Sequence, residues 1–203
     1  MKNHLFLFKE MINLAMNIHT QYAKQENNLV RKHDKFTPYF LHPVSCAGMA
    51  MEDDNDISIK DRFIIASALL FHDVLEDTTV TDRQLTSYLE EIFQKHYDEN
   101  LEKLIGPKDK AIVEIIDLVK QATTIGGSKK EYEYLKANED KISEELWYLK
   151  LIDKYFNILG SRKRLTQNGN WDFYKGFLYY LAEKTSKTRF KNSIWIKTVR
   201  CIE

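Results

Sequence analysis

The sequence predicts an all-helical chain. Three observations carry that expectation. The 203 residues hold only seven Gly and three Pro, so interruptions are few. Apolar residues recur every three or four positions along most of the chain, and the strict apolar–polar alternation of a half-buried strand is absent. The length supports one good-sized core and nothing in it forces two, so a single domain over 1–203 with about eight to ten helices is expected.

Leu5, Phe8, Met11, Ile12, Ala15 and Ile18 share one helical face, giving a first amphipathic helix that ends near Lys24. A polar loop with Asn27, Asn28, Arg31, Lys32, His33, Asp34 and Lys35 follows. It closes at Thr37-Pro38-Tyr39-Phe40-Leu41-His42-Pro43, where Pro43 suits the first position of a second helix. That helix carries Val44, Ala47, Met49 and Ala50 and stops at an acid-rich turn, 52–56. A third helix, from about Ser58 to Asp77, contains the apolar run Phe63-Ile64-Ile65-Ala66-Ser67-Ala68-Leu69-Leu70-Phe71. Thr81 reads as the N-cap of a fourth, with Gln84 as its capping-box partner and Leu85, Tyr88, Leu89 and Phe93 on one face. Gly106-Pro107 breaks the chain. A helix from about Asp109 to Ala122 shows Ile112, Ile115, Ile116 and Val119 and ends before Thr123-Thr124-Ile125-Gly126-Gly127-Ser128. Without a preceding strand, that Gly-Gly reads as a turn rather than a phosphate cradle. Lys141 to Arg164 reads as one long helix, and two more start near Trp171 and Lys187.

A formal net charge of zero argues against a general nucleic-acid or membrane-surface binder. The charge is uneven, however. Glu52, Asp53, Asp54, Asp56 and Asp61 cluster, whereas from Lys150 onward Lys and Arg outnumber Asp and Glu by twelve to four, so the C-terminal third suits an anion. Cys46 and Cys201 are too few for a disulfide framework and show no paired-ligand spacing, which fits reduced thiols. Leu5-Phe6-Leu7-Phe8 is broken by Lys9 and Glu10 and lacks a signal peptide's apolar core, and no run approaches the roughly 20 apolar residues of a membrane span. The cytoplasm is the default location. Trp171, Tyr179, Tyr180 and Trp195 would furnish a homo-oligomer surface if exposed, although aromatics at helical spacing are more often core.

The chemistry gathers where the apolar run ends. His72, Asp73, Glu76 and Asp77 put an imidazole and three carboxylates at the negative end of a helix dipole, where they repel one another; a divalent metal is the simplest positive partner. His42 and Asp153 are further candidate ligands, and this mixed nitrogen and oxygen set suits Mn or Fe better than a structural zinc. Each apolar helix places a second polar residue one turn on: His72 with Glu76, Asp73 with Asp77, Asp153 with Asn157. Taken singly, His42 before a proline reads as a loop residue and Asp153 as a solvated or capping one. Buried together without satisfaction, such pairs would be costly.

Three segments, Tyr39-x-x-His42-Pro43, Ala68-Leu69-Leu70-x-His72-Asp73-Val74-x-Glu76-Asp77-Thr78 and Lys150-Leu151-x-Asp153-x-x-x-Asn157, resemble the HD-type phosphohydrolases of the RelA/SpoT group, close to the small alarmone hydrolases. The resemblance runs from Ala15 to about Leu165, with the three motifs in the family's order. It implies a single HD-type helical domain that binds one Mn2+ ion and removes the 3′-pyrophosphate from guanosine tetra- and pentaphosphate (ppGpp and pppGpp). His42, His72, Asp73 and Asp153 would then be the metal ligands, Glu76 and Asp77 would position and activate water, and Asn157 would contact the nucleotide. Arg31 and Lys32 correspond to the family's Arg-Lys pair in the guanine-holding segment, and Arg162 and Lys163 are placed to meet phosphates.

The sequence also departs from the family. Arg31-Lys32 is displaced by a few residues, Phe36 stands where a Gly is expected, Lys154 replaces an Arg and Phe156 a His. The metal and water-activating set is complete, whereas the substrate-reading set is altered. Other substrates for the same chemistry therefore stay open: an adenine alarmone (ppApp), NADPH or a nucleoside monophosphate. A non-catalytic nucleotide-binding or antitoxin-like partner protein is a third reading, against which the retained Glu76 and Asp77 argue.

Overall fold

The computed structural model describes residues 3–25, 29–30, 37–53, 55–123 and 127–202. Among them all regular structure is helical, and the only strand-like pairings are two isolated bridges, Ala23 with Thr78 and Val30 with Pro38. The chain divides into two compact units, Met1–Met51 with Ser58–Thr123, and Glu52–Ile57 with Thr124–Glu203.

The first unit contains α1 (Asn3–Gln21), α2 (Leu41–Glu52), α3 (Ile59–Phe71), α4 (Val74–Asp77), α5 (Asp82–His96), α6 (Glu99–Ile105) and α7 (Lys108–Ala122). Its centre is α3, which packs on α1, α6 and α7. Every residue from Phe63 to Phe71 is buried, so α3 is apolar all round, as a helix enclosed on every side must be. Ser58 starts it by accepting a hydrogen bond from the Asp61 amide at 3.0 Å. Pro43 sits third in α2 rather than first, still within the turn whose amides have no helical partner. The predicted box forms at α5: the Gln84 amide donates to Thr81 Oγ1 at 3.3 Å and the Thr81 amide to Gln84 Oε1 at 2.9 Å, and Leu85, Leu89 and Phe93 are buried.

The expected stretch ahead of Gly106 proves to be two helices. Tyr97 closes α5, its amide donating to the Phe93 carbonyl, and Asp98 caps α6 by accepting from the Asn100 and Leu101 amides. Gly106 then takes φ +87°, a left-handed conformation that suits glycine, and Pro107 opens the way into α7. The expected continuous helix to Asp77 is likewise interrupted at His72 and Asp73, with α4 as a separate last turn.

The second unit contains α8 (Gly127–Ala137), a 3-10 turn (Glu139–Lys141), α9 (Glu144–Gln167), α10 (Trp171–Thr185) and α11 (Ile194–Arg200). α8 was not expected, and α11 starts at the Ser193 cap rather than near Lys187. Trp147, Leu151, Ile158 and Leu165 form the seam of α9, which packs against Phe177, Leu178 and Leu181 of α10 and Ile196 and Val199 of α11. Trp171, Tyr180 and Trp195 pack partly buried on this core, whereas Tyr179 is exposed at its edge. One acid of the acid-rich turn is enclosed. Asp53 is fully buried and accepts from the Tyr148 hydroxyl at 2.7 Å, the Ser193 hydroxyl and the Ile194 amide at 3.2 Å. With the Asn55 side-chain amide, which donates at 3.2 Å, four donors replace the water that its carboxylate gives up.

Candidate metal centre

The sequence-predicted ligands His42, His72 and Asp73 come together in the first unit. One ligand atom from each lies within 4.8 Å of the other two. His72 Nε2 is 3.2 Å and His42 Nε2 3.8 Å from the same oxygen, Asp73 Oδ2. His42 is supplied by the first turn of α2, and His72 and Asp73 by the break after α3. That break matters: the interruption lets two adjacent residues turn toward one point while α3 stays locked in the core.

Contacts behind the ligands set their orientation. His72 Nδ1 lies 2.8 Å from the Leu69 carbonyl, which only accepts, so Nδ1 carries a hydrogen and Nε2 is the nitrogen turned toward Asp73 Oδ2. His42 Nδ1 is 3.6 Å from the Cys46 thiol. The Tyr39 hydroxyl donates to Asp73 Oδ2 at 2.5 Å, and burial, with Asp73 and Asp77 adding to it, pushes the phenol well above its usual pKa; it remains a donor. Two imidazole nitrogens and a carboxylate oxygen converge on one region, an arrangement that a proton or a cation among them stabilises. The donor set, two nitrogens and an oxygen with hard character, fits a divalent first-row ion.

Glu76 is exposed and Asp77 half-buried on α4. The positive partner of this carboxylate-rich turn includes a residue that carries no signal in the sequence. Lys24 Nζ donates to the Leu75 carbonyl at 3.0 Å and the Glu76 carbonyl at 2.7 Å, and the Lys24 amide donates to the Asp77 carbonyl at 2.9 Å. A cation here meets the negative end of the turn. His19 is a second residue that sequence reasoning misses. It is 2% exposed, 5.3 Å from the Tyr39 ring, and its Nε2 has no hydrogen-bond partner among the described residues. Burial, opposed by Asp73 and reinforced by His72 and His42, pushes its pKa down to about 4.

Asp153 and Asn157 lie together on α9 in the second unit. Asp153 is buried; its Oδ1 accepts from Asn157 Nδ2 at 2.6 Å and its Oδ2 from Lys154 Nζ at 3.1 Å. Lys154 and Lys150 both reach Glu131 of α8, at 2.7 and 2.6 Å. Burial favours a neutral Glu131, but the two ammonium groups outweigh it and hold the carboxyl below its usual range. Burial also works against a charged Lys154, and Asp153 and Glu131 outweigh it. Glu131 carries no signal in the sequence, because one Glu among the charges of α8 reads as solvated surface.

Arg162 and Lys163 are exposed near the end of α9, about 14 Å along the helix axis from Asp153. They line a shallow hollow of about 560 Å³ with Leu159, Gly160, Thr166 and Gln167, and the Arg162 guanidinium lies 5.0 Å from the Trp171 ring centroid. Arg31, Lys32 and Phe36 lie outside the described residues, as does Gly126. No helix among the described residues is long and apolar enough to cross a membrane.

No family model matches the chain, and no curated protein matches it in sequence. A solved structure described as a metazoan ortholog of SpoT that hydrolyses ppGpp and plays a role in starvation responses is similar at TM-score 0.54 and 21% identity, covering 95% of this chain and 90% of that one. The chain thus has the all-α, HD-type fold of that hydrolase.

Proposed function

We propose that the protein is a metal-dependent pyrophosphohydrolase of guanosine 3′-pyrophosphates such as ppGpp, acting as a single cytoplasmic catalytic domain on a small nucleotide rather than on nucleic acid. The observation that carries this reading is the convergence of His42, His72 and Asp73 at the end of α3, with Glu76 and Asp77 one turn further on. In this reading those three ligands and Asp153 hold one divalent ion, Mn2+. The place of Asp153 in the set rests on its sequence motif. When bound, the ion lowers the pKa of water and neutralises charge on phosphate oxygens.

The residues divide the remaining work. Glu76 and Asp77 orient the attacking water and take its proton as its oxygen bonds to the phosphorus attached to the 3′-oxygen. The bond from that phosphorus to the 3′-oxygen breaks, and the alcohol leaves with a proton returned to it while pyrophosphate departs. Tyr39 and the Leu69 carbonyl keep Asp73 and His72 aimed. Asn157 borders the nucleotide, Arg31 and Lys32 read the base, and Arg162 and Lys163 meet its phosphates. The Lys154 and Phe156 departures favour a second reading of the same chemistry on another nucleotide, ppApp, NADPH or a nucleoside monophosphate.

The test is product release from ppGpp, pppGpp, ppApp, NADPH and dGMP, with Mn2+, with chelator, and with His72→Ala as control. Pyrophosphate from ppGpp that requires both Mn2+ and His72 supports the reading. Turnover of ppApp alone moves it to the adenine nucleotide, and no turnover of any of them with Mn2+ bound overturns it.

A further inference from the structure

The buried charges behind Asp153 are arranged in a way that bears on how it meets a cation. α8 is mostly exposed and buries only Glu131 and Leu135, so one of its two inward positions is a carboxylate. That carboxylate is enclosed with two ammonium groups, Lys150 at 2.6 Å on one oxygen and Lys154 at 2.7 Å on the other. Lys154 is shared: the same Nζ is 3.1 Å from Asp153 Oδ2. Two carboxylates thus balance two lysines in a region where all four side chains are largely shielded from water. Charges so enclosed interact strongly, and deleting one of the four changes the balance among the other three.

We propose that Glu131 is a positioning residue for the metal ligand Asp153: by drawing the Lys154 ammonium to itself, at 2.7 Å against 3.1 Å to Asp153, it loosens that ammonium's hold on Asp153 and leaves the carboxylate able to bind a divalent cation. This rests on the reading of Asp153 as a ligand. Without Glu131, Lys154 has Asp153 as its remaining carboxylate partner within this group of four. An ammonium ion-paired to the carboxylate then competes with the divalent ion for it, and the group acquires a net positive charge that opposes cation binding. Outer-shell partners of metal ligands act over about 10–100-fold in affinity, and Glu131 is expected in that range.

The experiment is a calorimetric titration of the whole chain with Mn2+ alone, run on the unmutated protein, Asp153→Asn, Glu131→Gln, Lys154→Met and Glu131→Gln/Lys154→Met, with circular dichroism to confirm helicity. Asp153→Asn should weaken Mn2+ binding sharply. Glu131→Gln should weaken it at least tenfold, Lys154→Met should bind no more weakly than the unmutated chain, and the double variant should regain most of the loss. A role in packing alone would not be rescued by removing a second buried partner. If Glu131→Gln binds as the unmutated chain does while Asp153→Asn does not, the proposal is overturned and the ligand reading stands. If Asp153→Asn binds normally, the ligand reading itself fails. Should Glu131→Gln not fold, Lys154→Met decides: a tenfold loss there would make the ammonium, not Glu131, the group that positions Asp153.

Discussion

His19 shows what a single buried imidazole does to the pH dependence of the fold. Its pKa is about 4 in the folded chain, against the ordinary histidine value of 6.5 when the chain is unfolded. Above pH 6.5 both states are neutral and its contribution is constant. As pH falls from 6.5 toward 4 the unfolded chain binds the proton first, so stability is lost across that window, by about 3 kcal/mol in all. Urea denaturation of chelator-treated protein at pH 7 and pH 5 should show this loss, and His19→Gln should lose less; equal losses would mean that His19 does not set it. Asp73 acts differently. Asp73→Asn replaces the oxygen that Tyr39 and both histidines address, and Mn2+ affinity and metal-dependent turnover should each fall more than about a hundredfold. His42, His72 and Asp73 were legible in the sequence because motif and apolar helix marked them together. His19 and Glu131 were not, since their meaning comes from burial, and an isolated His or Glu on an amphipathic helix carries no mark of which way it faces.

At the scale of elements, the one-turn α4 depends on Lys24. Leu75 and Glu76 would otherwise offer their carbonyls to water at a turn already crowded with acid, and the lysine satisfies both. Lys24→Met should lower stability by about 1 kcal/mol and reduce turnover, while Mn2+ affinity stays close to that of the unmutated chain because His72 and Asp73 are held from α3. A thermal melt, a steady-state assay and a Mn2+ titration separate the two effects; a parallel loss of Mn2+ affinity would show that the ligands move with α4. The helices with strong periodicity, α1, α5, α7 and α9, were readable within a few residues. Those that were missed lack that signal. α6 is seven residues long and owes its start to the Asp98 side chain, and α8 buries only two positions of eleven. The break at His72 and Asp73 was hidden because the apolar run and the acids after it read as one helix.

For the whole chain, occupancy of the centre should register as stability. A cation that binds only the folded state adds about 2.7 kcal/mol at a concentration a hundredfold above its Kd, which for a chain of this size raises Tm by roughly 5–10 °C. Calorimetric scans with Mn2+ and with chelator test this, and Asp73→Asn should remove the difference; an equal shift in that variant would place the stabilising ion elsewhere. The all-helical class was legible at this scale from the scarcity of Gly and Pro. The assembly of charges around Asp153 was not, because it joins α8 to α9 across residues that sequence spacing does not relate.

The nine consecutive enclosed residues of α3 also constrain how this chain can vary over time. A helix with a solvent face absorbs substitution there without consequence, but Phe63 to Phe71 offers no such face, and Ala66 and Ala68 leave no room for a larger side chain without displacing a neighbour. Because His72 follows directly, any such displacement is delivered to the imidazole. Lineages of this protein are therefore held in α3 to exchanges that conserve volume, whereas α8, which buries only Glu131 and Leu135, leaves its other positions free to drift.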